Sequence, residues 1–354
     1  LTGFTACEGS DDGEKPGPNG EIKAPYTISV DKNEIEADGK DAANFILTDA
    51  NGNVLTENEQ LNYIVFENTA TGNQLDKKTS AFTAVKNGTY TFKALYKNKP
   101  SENTVTVTAK NRSAYEKYFR KVAAYDITNV NCGYCPLMAS ALENTAAEWK
   151  QHMTVFAIHG PYDLQDPYII GSVANNLLNK YIGSGSYPSA IFNLDYTMTG
   201  AGDAKPAFIA GVIEDQLRTN PATCGIRINS SYADKTITIN AGLTSSTGGK
   251  YDIGYAVLLN NGTYVGGTAS DNKYDDIVVG LSGNYMAMSE NAFTVAANEE
   301  HTGATTFELK EDIAGNLSNY RVAVFALRNN GSKVIIDNVA ECSLGGSVDY
   351  KVNE

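Results

Sequence analysis

The sequence predicts a multi-domain chain in which two antiparallel β-sandwiches flank one α/β module. Three observations carry this. Short runs with apolar or β-branched residues at every second position fill Tyr26–Lys110 and return after Ala222, as half-buried strands require. Between these stretches strand-like and helix-like runs alternate, the order of an α/β layer structure. With 354 residues, 42% of them hydrophobic and 19% charged, the chain can build two or three cores and lacks a disordered composition. The divisions expected are 1–24, a signal remnant and tether; 25–110, the first sandwich; 111–221, the α/β module; and 222–354, the second sandwich. The net charge of −13 argues against a nucleic-acid partner, since phosphate binding needs clustered Lys and Arg.

The opening stretch LTGFTAC is apolar and small up to Cys7, and EGSDDGEKPGPNGE follows as an acidic, Gly- and Pro-rich tether. Thr5-Ala6-Cys7 resembles the end of a bacterial lipoprotein signal, although Phe4 is a weaker match than Leu. An acidic tether just after the cysteine is similar to the surface-export signals of Bacteroidetes lipoproteins. The resemblance implies a lipid on Cys7, attachment to a membrane through acyl chains and a place outside the cytoplasm. A disordered N-terminus with a stray cysteine is the other reading. No run of about twenty apolar residues is present to span a membrane as a helix.

In the first module YTISVD, NFILTD, NYIVFE, GTYTFKALY and NTVTVTA read as strands, separated by turn-forming EADGKD, DANGNV and VKNGTY. About seven strands over this length suggest an immunoglobulin-like sandwich. IEADGKDAANFILTDANGNVLT also resembles bacterial immunoglobulin-like modules of surface proteins. TDANGN lacks the carboxylate spacing of a calcium loop and reads as a turn.

The α/β module runs through KVAAYDIT as a strand and CPLMASALENTAAEWKQH as an amphipathic helix. MTVFAIHG follows as a buried strand, PYIIGSVANNLLNKYIG as a largely helical stretch, SYPSAIFNLD as a strand and AKPAFIAGVIEDQLRTN as a last helix. In the second sandwich CGIRINSSY, TITINAGLTS, DIGYAVLLNN, TTFELKED, YRVAVFALRNN and KVIIDNVAEC read as strands. Asn261-Gly262 and Asn330-Gly331 supply tight corners there. Cys224 opens the first of these strands and Cys342 closes the last, so an oxidising compartment would join them in a disulfide; two free thiols are the alternative.

Cys132-Gly133-Tyr134-Cys135 admits three readings. A zinc site needs two more ligands beside this pair; the chain has only three histidines and no second Cys pair of suitable spacing, and His159 alone would leave the site incomplete. A structural disulfide closes a loop too short for much entropic gain. The redox reading rests on the strand running into the pair and the helix following it. That arrangement sets Cys132 at a helix N-terminus, where the dipole favours thiolate, with Cys135 one turn in as the resolving thiol. Pro136 fits the first turn, and Gly133 leaves room for a substrate chain.

These residues resemble the thioredoxin fold. The resemblance makes Asp126, six residues before Cys132, a buried acid exchanging a proton with Cys135; an ordinary strand-end carboxylate is the other reading. It also makes Tyr187-Pro188, in GSYPSAIFN, a cis bond facing the cysteines, with the Tyr187 backbone pairing to substrate. Asn131 stands where many thioredoxins have Trp, and Tyr134 brings no charge to the thiolate. The order of lipobox cysteine, immunoglobulin-like module, CGYCP, AIHG, YPSAIFN and β-sandwich resembles the Bacteroidetes outer-membrane lipoproteins related to the twenty-eight-kilodalton outer membrane protein. By that resemblance His159 borders the site; a packed strand-end histidine is equally consistent. The function expected is an outer-membrane, lipid-anchored thiol–disulfide oxidoreductase acting on protein or peptide disulfides through Cys132, Cys135 and Asp126. Gly133, Tyr134, His159, Tyr187 and Pro188 would touch substrate, and no cofactor or metal is called for. The alternative is a surface-binding or adhesin-type lipoprotein with the thioredoxin-like part as scaffold.

Overall fold

A computed structural model describes residues 22–353 except 58, 77, 86, 111–116, 310 and 311. Cys7 and its tether lie outside the described residues. The chain is β-rich and divided among several sheets.

The N-terminal strands are β1 (Thr27–Val30), β2 (Glu34–Glu36), β3 (Ala43–Thr48), β4 (Ile64–Asn68), β5 (Ala81–Phe82), β6 (Gly88–Tyr96), β7 (Lys99–Pro100) and β8 (Val105–Lys110). They form two sheets, β1-β3-β5 and β2-β8-β6-β4, with β7 pairing β6. Alternation puts Phe45, Phe66 and Phe92 between the sheets, all buried, with Phe45 about equidistant from the other two rings (5.0 and 4.8 Å).

Next come β9 (Val122–Thr128), α1 (Cys135–Glu143), α2 (Ala147–Lys150), β10 (Met153–His159), α3 (Val173–Leu177), β11 (Ser189–Phe192), β12 (Tyr196–Thr199) and α4 (Pro206–Thr219). β9 and β10 are parallel; β11 runs antiparallel to β9, and β12 antiparallel to β11. Alternate residues of β9 serve two cores. Val122 and Ala124 meet Met138, Leu142 and the apolar face of α4, while Tyr125 and Ile127 point to the other face with α3. The helical stretches are shorter than the sequence pattern suggests. Thr145 turns its hydroxyl back to the Ala141 carbonyl (2.9 Å) and ends the run between α1 and α2. Past Leu177 the chain continues as one π turn, Leu178–Ile182, closed by Gly183 in the left-handed region.

The last strands are β13 (Cys224–Ala233), β14 (Thr236–Ser245), β15 (Gly249–Leu259), β16 (Gly262–Thr263), β17 (Lys273–Tyr274), β18 (Ile277–Leu281), β19 (Phe293–Val295), β20 (Glu300–Glu308), β21 (Tyr320–Asn330), β22 (Lys333–Ser343) and β23 (Ser347–Val348). One sheet of this part, β20-β14-β13-β23, packs on a second made from β15, β21 and β22. That second sheet does not stop at the expected boundary. β18 joins it to β10 through the parallel pair Ala157↔Ile277, giving the continuous order β12-β11-β9-β10-β18-β15-β21-β22. The sheet curls until its end meets its beginning: Ile336 N–H donates to the Asn193 carbonyl (3.0 Å), and Lys121 N–H to Asn338 Oδ1 (2.9 Å). Tyr125, Phe156 and Phe325 stack edge-on inside the curl, 5.4 to 6.5 Å apart. Strands on both sides of 221/222 therefore share a core.

The expected Cys224–Cys342 disulfide is absent; both are free thiols. The offset of the strands explains it. Cys224 lies level with Asn338, whose Nδ2 donates to the Cys224 carbonyl (2.9 Å), whereas Cys342 lies against Ser230, with Oγ 3.9 Å from its sulfur. Six residues of strand separate Cys224 from Ser230, about 20 Å, while a disulfide needs Cα atoms within about 7 Å.

The N-terminal sandwich docks on α4 through a buried acid. Glu214 accepts hydrogen bonds from Asn68 Nδ2 and Thr71 Oγ1, both at 3.1 Å. Burial outweighs those bonds and pushes its carboxyl up to about 7. A folded-state value above the unfolded 4.5 means the folded chain holds the proton more tightly. Stability from this group is complete below about pH 4.5 and is lost as pH rises through about 7. Glu214→Gln should remove that loss and raise stability at about pH 8 by up to about 3 kcal/mol. Denaturant unfolding of both proteins across this range checks it; parallel curves would refute it.

Candidate functional site

The loop between β9 and α1 is built by side chains bonded to backbone. Asn129 Nδ2 donates to the carbonyls of Gly160 (2.8 Å) and Asp163 (3.0 Å), and Asn131 Nδ2 to Asp163 Oδ2 (3.0 Å). These bonds tie the loop after β10 to the loop carrying the cysteines. Cys132 and Cys135 form a disulfide. Tyr134 is the N-cap and Pro136 falls at the start of α1, so Cys135 is the first helical residue and Cys132 lies in the turn before it. Proline suits that position because its missing N–H has no intrahelical partner there. Gly133 and Tyr134 are exposed, and a Cβ on Gly133 would meet nothing within 4 Å.

Both cysteines are nonetheless covered, each 2% exposed. A strap from the C-terminal part lies against them. The short ribbon β16–β17 carries a loop whose Thr268 N–H donates to the Val130 carbonyl (2.8 Å). Thr268 Oγ1 bonds the carbonyls of Val130 (3.0 Å) and Cys132 (3.1 Å), and Tyr274 OH also donates to Val130 (3.2 Å). Glycine is required at 267, where a Cβ would sit 2.9 Å from the Val130 oxygen and 2.2 Å from Tyr274 OH.

Below α1 a cavity of about 900 Å³ opens between the helix, the sheet floor of β9 and β10, and the strap. Cys135, Asp126 and His159 line it together, so three of the residues expected at the site meet in one place. Asp126 is buried on β9, and its Oδ1 has no hydrogen-bond partner among the described residues. Burial, aided by the nearby Asp276, pushes its carboxyl up to about 7. His159, 1% exposed, places Nδ1 2.7 Å from Asp166 Oδ2. Burial opposes ionisation of Asp166, but the His159 bond and the amides of Tyr168 and Val130 outweigh it and hold the carboxyl below its usual range. Asp166 is therefore the acceptor and Nδ1 carries the proton, leaving Nε2 unpartnered at the cavity.

Tyr187–Pro188 is cis. The Tyr187 ring packs against Tyr162 (5.5 Å), and its hydroxyl is buried beside Gly160 with no partner among the described residues. Burial raises that phenol to about 12. Asp166, Thr268, Tyr274, Asp276 and Arg321 escaped the sequence reading. Asp166 just precedes the stretch read as largely helical, and the strap carries only turn signals.

No family model and no curated protein matches the sequence. Among solved structures, HBP35 of Porphyromonas gingivalis, a Bacteroidetes protein, is similar at 19% identity and TM-score 0.52, over 65% of this chain and 76% of that one. That likeness shows a shared fold. A DUF3823 family protein from Bacteroides ovatus matches at 10% identity and TM-score 0.22, over 84% of this chain and 96% of that chain. CsgH of R. palustris matches at 15% identity and TM-score 0.18, over 34% of this chain and 93% of its own. No helix among the described residues is long and apolar enough to cross a membrane.

Proposed function

We propose that the protein is a thiol–disulfide oxidoreductase acting on protein or peptide disulfides outside the cytoplasm, held to a membrane by a lipid on Cys7. One observation carries this reading: the Cys132–Cys135 disulfide opens α1 above a cavity whose floor holds the unpartnered, raised-pKa acid Asp126. Strand order supports it. β10-β9-β11-β12, with the first two parallel, the rest antiparallel and α4 after them, fits a thioredoxin-like module in which the active pair follows the central strand. The two-sheet N-terminal sandwich fits an immunoglobulin-like spacer.

In the reductive direction, the Cys132 thiolate attacks a substrate disulfide, forming a mixed disulfide and releasing one substrate thiol. Cys135, its proton taken by Asp126, then attacks Cys132 and releases the second. Exposed Tyr134, Gly133 and the Tyr187–Pro188 segment would face the bound chain.

A second reading, a surface-binding lipoprotein with a static bridge, is favoured by one observation: both cysteines are covered and the strap is bonded to their loop. The reduction potential separates the two. Thiol trapping in glutathione buffers should give a value between about −120 and −270 mV, the range of exchange enzymes. A disulfide resisting reduction below about −300 mV would transfer the lead to the binding reading.

A further inference from the structure

We infer that the cavity beneath α1 is a binding site for a low-molecular-weight aminothiol, a small thiol carrying a cationic amine, which reaches the disulfide through Cys135. The inference rests on the oxidoreductase reading for its chemistry, though not for its binding.

The cavity floor is a set of polar atoms waiting for partners. Asp126 Oδ1, Thr154 Oγ1, His159 Nε2 and Arg321 Nε are all buried without a hydrogen bond among the described residues, and all four residues line this one cavity. Buried polar atoms are rarely left unpaired, so four around a single void mark a place where something else supplies the bonds. A bridging water needs only about 10–15 Å³ of such space, whereas about 900 Å³ lies within the range of small-molecule sites.

Charge selects the ligand. Six carboxylates and four cationic side chains line the cavity. Arg321 is spent on Asp276 and Glu341, Lys121 on Glu341, and Lys150 on Glu143. Of the remaining acids, Asp271 and Asp275 already outnumber Lys273, and Asp126 adds its charge as it ionises near pH 7, an excess that favours a cation.

Reach selects the reactive group. Cys135 lines the cavity, whereas Cys132 does not and sits behind the strap. The aminothiol, as thiolate, attacks the Cys135 sulfur. A bond forms between the two sulfurs, the Cys132–Cys135 bond breaks, and Cys132 leaves with the electron pair. The proton lost by the thiol is released to solvent, and the Cys132 thiolate takes one back from solvent. A second thiol attacks the mixed disulfide, leaving the aminothiol disulfide and a reduced Cys135. Two thiols are oxidised and one protein disulfide is reduced. The pair thus has two sides, protein substrate at Cys132 and a small reductant at Cys135.

Single-cysteine variants of the full chain, Cys132→Ser and Cys135→Ser, test this with two small disulfides as probes: cystamine, which is cationic, and 3,3′-dithiodipropionate, which is anionic. Peptide mapping locates the adduct, so Cys224 and Cys342 do not interfere. In Cys132→Ser, Cys135 should react with cystamine roughly tenfold or more faster than with the anion. In Cys135→Ser, Cys132 should react more slowly and without charge preference. Asp271→Lys, on the exposed lip, should shrink the preference in Cys132→Ser. Faster reaction at Cys132, or no charge preference at Cys135, overturns the inference. Because a variant can misfold, the wild-type disulfide is also reduced with cysteamine and 3-mercaptopropionate, compared per thiolate; equal rates overturn the inference too. If the wild type exchanges with a protein disulfide but shows no preference, only the cavity assignment falls. If the preference holds but the potential lies below about −300 mV, the oxidoreductase reading falls and the binding site stands.

Discussion

Asp126→Asn should make the oxidised protein more stable at about pH 8, by as much as about 4 kcal/mol, while slowing exchange at least roughly tenfold. The carboxyl titrates at about 7 in the folded chain against 3.8 when unperturbed. The folded protein therefore binds this proton more tightly than the unfolded one. Its stability contribution is complete below about pH 4, declines as pH rises, and is lost above about pH 7, where the buried acid must ionise. Asparagine cannot ionise, so the variant's stability curve should stay flat where the wild type falls. The same substitution removes the base that would take the Cys135 proton, and general acid–base groups supply about 10²–10⁴ in rate. Denaturant unfolding against pH, with exchange against a fluorescent disulfide peptide, measures both halves. A variant more stable yet equally fast would leave Asp126 as a mere burial defect and remove its assigned role.

The strap gives the second large effect. Thr268→Val with Tyr274→Phe deletes the side-chain bonds to the Val130 and Cys132 carbonyls while keeping the Thr268 backbone bond. At about 1 kcal/mol for each of the two hydroxyl donors removed, the covered arrangement loses about 2 kcal/mol. If the strap must leave before a protein disulfide reaches Cys132, exchange with such a substrate should quicken by roughly tenfold to thirtyfold. Small probes entering at Cys135 need no opening of the strap, so their rates should change much less than that of the protein substrate. An unchanged rate with the protein substrate would show that the strap is not a gate, and quickening of both substrates would point to general loosening.

The strands were legible because their chemistry is local. Alternation in Gly88–Tyr96, Thr236–Ser245 and Tyr320–Asn330 is visible in any short window, and so are the turns between them. Cys132, Cys135 and Asp126 could be found because strand, cysteine pair and helix are consecutive. What stayed hidden is spaced far apart in sequence. The joint between β10 and β18 is a single residue pair, Ala157↔Ile277, and leaves no periodicity to read. Cys224 and Cys342 stand at strand ends, which suggested a bridge, but the offset between packed strands is set by the sandwich. His159 was visible as a candidate while its partner Asp166 was not, because a buried Asp in a loop looks like a turn residue until its neighbours are known.

The curled sheet has a consequence for how the chain assembles. β9 and β10 are made early, whereas β18, which flanks β10, and β22, which closes the curl, come more than a hundred residues later, so β10 waits longest for its neighbour. Until β18 arrives, β10 presents an open edge of buried, apolar residues, the kind of edge that seeks strands from other molecules. A fragment ended at 221 would keep that edge permanently, together with Tyr125 and Phe156 stripped of Phe325. The disulfide-bearing segment is thus not a portable cassette. It acquires its finished shape only when the last third of the polypeptide has wrapped around it.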